Sequence, residues 1–124
     1  MAKTILIVED EPDPRKYLEI LLKESGFETF CAEDGLQAMS KVKELQPDAI
    51  LLDLLMPRET GIKFYRDLMK DDTYSKIPVI VCSGATQYKP LFQLNRQALP
   101  KPYAFVEKPI DKELLINKLN EAVA

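Results

Sequence analysis

Five polar residues carry most of the chemistry this chain offers. Glu9 and Asp10 follow the apolar run Thr4–Val8, Asp53 closes the run Ala49–Asp53, Ser83 follows Val79–Cys82, and Lys108 follows Ala104–Glu107. Three carboxylates brought together repel one another, so they either hold protons at raised pKa or bind a cation that cancels the repulsion. A cation is the simpler solution. All the candidate ligands are oxygens, with no histidine or thiolate among them, which selects magnesium, or manganese in its place, in a six-coordinate shell completed by water. A carboxylate beside such an ion can attack phosphorus, because the metal neutralises charge on nucleophile and phosphoryl oxygens together. An ammonium group and a hydroxyl can hold the remaining oxygens. On this chemistry Asp53 is the nucleophile, helped by Lys108 and Ser83.

Each residue also has an ordinary role. An isolated Glu9-Asp10-Glu11 is best read as a solvated acidic turn before a helix start, where negative charge is favoured. Asp53 can merely end a strand, Ser83 satisfy a turn, and Lys108 be one more surface amine. The coincidence of placements, each at a strand end, outweighs the separate ordinary readings.

The elements that must position them alternate. Thr4–Val8 is a continuous, branched apolar run, and a helix follows with Tyr17, Leu18, Leu21 and Leu22 on one face, capped by Asp13, with Pro14 in its first position and Gly26 as its stop. Next come a strand near Glu28–Ala32, a helix near Leu36–Glu44 and the strand Ala49–Asp53. A helix after Gly61 buries Ile62, Tyr65, Leu68 and Met69. A strand at Val79–Cys82, a helix near Tyr88–Ala98, a strand at Ala104–Glu107 and a helix at Lys112–Val123, packed through Leu114, Leu115, Leu119 and Val123, complete five strand–helix units. Strands apolar on both faces and separated by helices imply a doubly wound, flavodoxin-like α/β fold with a five-stranded parallel sheet and five helices. The order 2-1-3-4-5 opens a crevice at the carboxyl ends of strands one and three, where these polar residues gather.

Composition narrows the function. The 124 residues, 46% hydrophobic and 30% charged, suit one domain over 1–124. No apolar run approaches a membrane span, and Thr4–Val8 lacks a signal-peptide cleavage pattern, so a soluble cytoplasmic protein is expected, with no membrane partner. Cys31 and Cys82 lie in apolar stretches and read as small hydrophobes rather than a disulfide. With 0 histidines the chain has no phosphohistidine of its own, so any phosphoryl donor comes from elsewhere. A net charge of −3 without a basic block argues against direct nucleic-acid binding.

Taken together, the motifs ILIVEDE with Glu9 and Asp10, LLDLLMP with Asp53 and Pro57, the following Gly61, PVIVCSGA with Ser83 and Ala85, and FVEKP with Phe105, Lys108 and Pro109 make the chain resemble the receiver domain of two-component response regulators over essentially its whole length. The resemblance implies that Asp10 and Asp53 touch magnesium directly, that Glu9 holds it through water, and that the Leu55 backbone carbonyl supplies a further ligand. It implies a phosphoryl group on Asp53, received from a histidine kinase or phosphotransfer protein, with Lys108 pairing to it, Ser83 moving to bond it, and Phe105 turning inward as the switch aromatic. A cis Lys108–Pro109 bond would aim the lysine into the crevice. Such a protein is a signalling switch rather than an enzyme, with at most slow self-phosphorylation and autodephosphorylation. The apolar Leu55 and Ala85 beside the path of attacking water suggest slow hydrolysis.

Between Ser83 and Phe105 the chain departs from that family. Three prolines, Pro90, Pro100 and Pro102, and the loss of a small turn before the last strand predict an atypical signalling face, so the usual dimer is not assumed. With no output domain after the last helix, signalling passes to a downstream protein or domain, whether the chain stands alone or is cut from a longer protein. Three other functions compete. A flavin or nucleotide binder needs a phosphate-cradling first loop, and EDEPDPR is acidic. A dehalogenase-type phosphatase needs an acid two positions after the nucleophile, where Leu55 stands. A non-phosphorylated pseudo-receiver scaffold would typically lose Asp53 or Lys108, and both are present.

Overall fold

The strands form where β-branched, aromatic and other apolar residues cluster. A computed structural model of the chain describes residues 2–54, 56–84 and 100–124, apart from the side chains of Glu59 and Ser83. It has strands β1 (Thr4–Val8), β2 (Glu28–Ala32), β3 (Ala49–Leu52), β4 (Val79–Ser83) and β5 (Ala104–Glu107). All pairings are parallel and the spatial order is β2-β1-β3-β4-β5, as the alternation predicts. Helices α1 (Pro12–Glu24), α2 (Gly35–Leu45), α3 (Thr60–Met69) and α4 (Lys112–Val123) cover the sheet, and a short 3-10 turn spans Pro57–Glu59. The helix expected near Tyr88–Ala98 lies outside the described residues.

Because side chains alternate along a strand, β1 and β3 feed two apolar layers at once. Leu6, Val8, Ile50 and Leu52 meet Ala38 and Val42 of α2 and Ile62, Phe64, Tyr65 and Leu68 of α3. Ile5, Ile7, Ala49 and Leu51 meet Leu18 and Leu22 of α1 and Leu115 and Leu119 of α4. Each large aliphatic chain so buried contributes about 2–3 kcal/mol of transfer free energy. Register then sets the site: Val8 pairs with Leu52, so Glu9 and Asp53, the next residue on each chain, leave the sheet side by side.

Two glycines let the helices approach closely. A Cβ on Gly61, in the first turn of α3, would lie 2.7 Å from the Asp53 carbonyl oxygen, and one on Gly35 would collide with the Thr60 carbonyl. Asp34 caps α2 by accepting from the Gln37 N–H at 2.8 Å, and Asp111 caps α4 by accepting from Leu114 at 3.2 Å. Gly26, at φ 93°, turns the chain out of α1.

Three local expectations need correcting. Helix α1 begins at Pro12, with Glu11 in the cap position and no side-chain cap, so Asp13 lies in the first turn and Pro14 is not the opening residue. Tyr17 is 50% exposed, and the buried stripe of α1 is Leu18 and Leu22, four residues apart, with Leu21 partly covered. In α4, Leu114 is 42% exposed while Leu115 and Leu119 face the sheet. Both aromatic and leucine fall about 100° of helix rotation away from the neighbouring core position. Phe64 joins the buried face of α3, whereas Met69 is only partly buried. Cys82 is buried, Cys31 is half-buried beside Glu19, and both thiols are free. Among the described residues, no helix is long and apolar enough to cross a membrane.

Candidate functional site

The loops leaving β1 and β3 are fixed by backbone bonds before any side chain is considered. The Asp53 N–H donates to the Val8 carbonyl at 3.0 Å and the Glu9 N–H to the Ala32 carbonyl at 3.1 Å. Arg15, in the first turns of α1, reaches back over the acidic loop. Its Nη1 donates to the carbonyls of Glu9 at 3.0 Å and Asp10 at 3.2 Å, and its Nη2 pairs with Glu33 at 3.3 Å. The sequence reading missed this brace; its only signal was an arginine five and six positions after the two acids.

With the backbone so held, Glu9, Asp10 and Asp53 each offer a carboxylate oxygen, and these oxygens lie within 4.8 Å of one another. Glu9 is 1% exposed and Asp53 6%, an unusual depth for ionisable groups. Lys108 arrives from the end of β5, after a cis Lys108–Pro109 bond. Its Nζ stands 3.2 Å from Glu9 Oε1 and 3.4 Å from Asp53 Oδ2. Four of the expected site residues are therefore gathered from three strand ends.

The electrostatics follow from that crowding. Burial, then a hydrogen bond and the negative charge of Asp53, push the Glu9 carboxyl up to about 7, against a smaller downward pull from Lys108 and the Glu11 N–H. Burial alone would lower the Lys108 ammonium, but Asp53 and Glu9 together outweigh it and hold its pKa above the ordinary lysine value. One lysine thus does not neutralise the cluster.

A hard divalent cation fits the residues present. Among the described residues Asp10 Oδ1 is buried with no hydrogen-bond partner, and an orphaned buried oxygen is costly unless something charged or polar meets it. The carboxylates of Glu9, Asp10 and Asp53 could hold the ion, and an all-oxygen set suits magnesium or manganese. Leu55 and Ala85 lie outside the described residues, as does the Ser83 side chain, although the Ser83 backbone ends β4 in register with Glu107. Phe105 pairs with Val81 across the sheet and is partly buried against the layer that includes Leu52 and Val81.

Known proteins resemble this chain in sequence and fold. PilH of Pseudomonas aeruginosa is 32% identical over 120 residues, 97% of this chain and 97% of its own length. The DNA-binding response regulator MtrA of Mycolicibacterium smegmatis is 40% identical over 86 residues, 69% of this chain, and the match spans about a third, 36%, of MtrA. A solved structure of a sensor protein from Polaromonas sp. JS666 superposes with a TM-score of 0.86 at 31% identity, covering 98% of this chain and 95% of that one. A family profile described as the response regulator receiver domain matches residues 5–120. Sequence, topology and profile agree over nearly the full length, and the chain belongs to the receiver domain family of two-component response regulators, a family of signalling switches.

Proposed function

We propose that Asp53 accepts a phosphoryl group from a partner histidine kinase or phosphotransfer protein, in a magnesium-dependent reaction in the cytoplasm, and that the chain signals to a downstream protein or domain by changing conformation. The observation that carries this reading is the reach of Lys108 Nζ to both buried carboxylates, at 3.2 and 3.4 Å, from a strand two places from that of Asp53 and three from that of Glu9 in the sheet. A lysine used only for solubility would not be drawn to the base of an acidic crevice.

When bound, magnesium would neutralise charge shared by the attacking carboxylate and the phosphoryl oxygens. Asp53 supplies the attacking oxygen: its new O–P bond forms as the donor's N–P bond breaks, and the departing imidazole nitrogen keeps the electron pair. Lys108 is already beside Asp53 Oδ2 and moves little to pair with a phosphoryl oxygen. Glu9 and Asp10 would hold the cation, whose charge would favour the ionised form of the Glu9 carboxyl that burial otherwise raises to about 7. The Ser83 hydroxyl takes another phosphoryl oxygen, and Phe105 follows it inward, favouring the state that a partner reads. A few kcal/mol of differential binding suffices for that shift, within the range of charge-assisted hydrogen bonds. With Leu55 in place of an acid two positions beyond Asp53, attack by water is slow and the signal persists.

Intact mass after incubation with magnesium and acetyl phosphate tests the reading. One metal-dependent phosphoryl adduct on the wild type, absent from Asp53→Asn, is expected. A wild type that binds magnesium but takes up no phosphoryl group from this donor or from a phosphorylated histidine phosphotransfer protein would leave a protein-binding scaffold as the better account.

A further inference from the structure

Outside the acidic trio, the backbone of Arg58 stands out. Among the described residues two non-glycine positions have positive φ, Gln46 at 47° and Arg58 at 59°. Gln46 is the C-cap of α2, a common place for that conformation. Arg58 is inside the 3-10 turn Pro57–Glu59, at ψ 24°, in a region that side-chain-bearing residues seldom adopt without a reason.

This backbone puts Arg58 on the wall of a cleft of about 260 Å³ that it shares with Asp10, Glu33, Asp34, Pro57 and Thr60. Asp10 belongs to the trio, whose oxygens lie within 4.8 Å of one another, so the cleft adjoins the Asp53 site through that residue. Its other acids are engaged: Glu33 pairs with Arg15, and Asp34 caps α2. Arg58 is exposed, and among the described residues it has no carboxylate partner. A phosphoryl donor carries two negative charges and meets Asp10 and Asp34 beside this cleft. Of the cleft's lining residues, Arg58 is the cation.

We propose that Arg58 is a specificity-determining residue that receives the anionic group of the incoming donor and favours small dianionic donors of the acyl phosphate class. This rests on Asp53 being the phosphoacceptor. In that step the Asp53 oxygen bonds to phosphorus as the phosphorus–oxygen bond to the acyl group breaks, and the carboxylate leaves with the electron pair. Arg58 forms no covalent bond. It offsets repulsion on approach, an effect that guanidinium geometry and charge both serve and that salt screens.

The test compares wild type, Arg58→Gln, Arg58→Lys and Arg58→Gly for the rate of Asp53 phosphorylation by acetyl phosphate at saturating magnesium, at low and high salt. Magnesium affinity is measured in parallel by calorimetry without donor. Arg58→Gln and Arg58→Gly should each slow the reaction about fivefold at low salt, with the deficit shrinking as salt rises, while Arg58→Lys loses less than about twofold. Glycine suits the left-handed backbone, so its matching loss would separate charge from strain. Removing a positive charge beside the trio should tighten magnesium binding about twofold, opposite in sign to the rate effect. Equal rates in all four proteins would overturn the proposal alone, as would rate and metal affinity falling together. No phosphorylation of the wild type would overturn the function reading and this proposal with it.

Discussion

At the amino end of the sheet, strands begin on bonds that are met. The Thr4 N–H donates to Asp48 Oδ2 and the Asp48 N–H to the Thr4 carbonyl, each at 2.8 Å, and the Tyr103 N–H donates to the Val79 carbonyl at 2.8 Å. The buried Tyr65 hydroxyl donates to the Pro100 carbonyl at 2.6 Å, tying α3 to the approach to β5. At the carboxyl end, buried carboxylates crowd one lysine, and among the described residues Asp10 Oδ1 has no hydrogen-bond partner. The contrast assigns stability to one end and chemistry to the other. Satisfied bonds hold the strands in register, and that rigidity keeps like charges together at the opposite end.

The sharpest way to break this division is Lys108→Met, which leaves the crowded end without its fixed cation. Phosphorylation of Asp53 by acetyl phosphate should fall at least a hundredfold, the scale of losing one charge-stabilising donor, with little change in the circular dichroism spectrum. A loss below about tenfold would mean that Lys108 is a structural partner only.

Protonation probes the same end through stability. Glu9, raised from 4.5 to about 7, binds its proton more tightly folded than unfolded. Its contribution is therefore complete below pH 4.5 and is lost as pH rises to about 7. Lys108, also raised, keeps its contribution through that window and loses it only in the lysine range. Chelator-treated protein should lose up to about 3 kcal/mol in urea melts between pH 4.5 and 8. Magnesium should flatten that slope, because the bound ion keeps the carboxylates ionised. A metal-free curve that rises over this range would contradict the crowding described.

Asp53→Asn should go the other way from most buried substitutions. Removing one of three like charges at pH 8 without metal is expected to raise stability by about 1 kcal/mol, read as a shift in urea midpoint. A drop would show that the ion pair with Lys108 outweighs the repulsion. An effect of similar size tests the amino end: Tyr65→Phe leaves the Pro100 carbonyl without its donor and should cost about 1 kcal/mol while leaving the rate of Asp53 phosphorylation unchanged. A large change in that rate would mean the two ends are not separable.

How much of this was legible in the sequence depends on range. The strand Thr4–Val8 is an unbroken branched run, and Glu28–Ala32 and Ala104–Glu107 each centre on an aromatic residue beside a β-branched one, so their ends could be read residue by residue. Glu9, Asp10, Asp53 and Lys108 follow strand ends directly, so the parallel order alone brings them together. The start of α1 was not legible, because Pro12 and Pro14 both suit a first turn, and the turn out of β1, braced by Arg15, decides between them. Leu114 and Leu115 offer two phases for one helix, and only the sheet below selects Leu115. Tyr65 reads as core, which it is, but its hydroxyl partner lies 35 residues away and leaves no local trace.

The most direct measurement of the central claim is the position of the phosphoryl group. Borohydride reduces an acyl phosphate to an alcohol, so protein treated with acetyl phosphate and magnesium, reduced and mapped by peptide mass spectrometry, should show homoserine at position 53 and nowhere else, with none formed in chelator. Modification at Asp10 or another acid, or a phosphate that resists borohydride as a serine or threonine ester does, would contradict it.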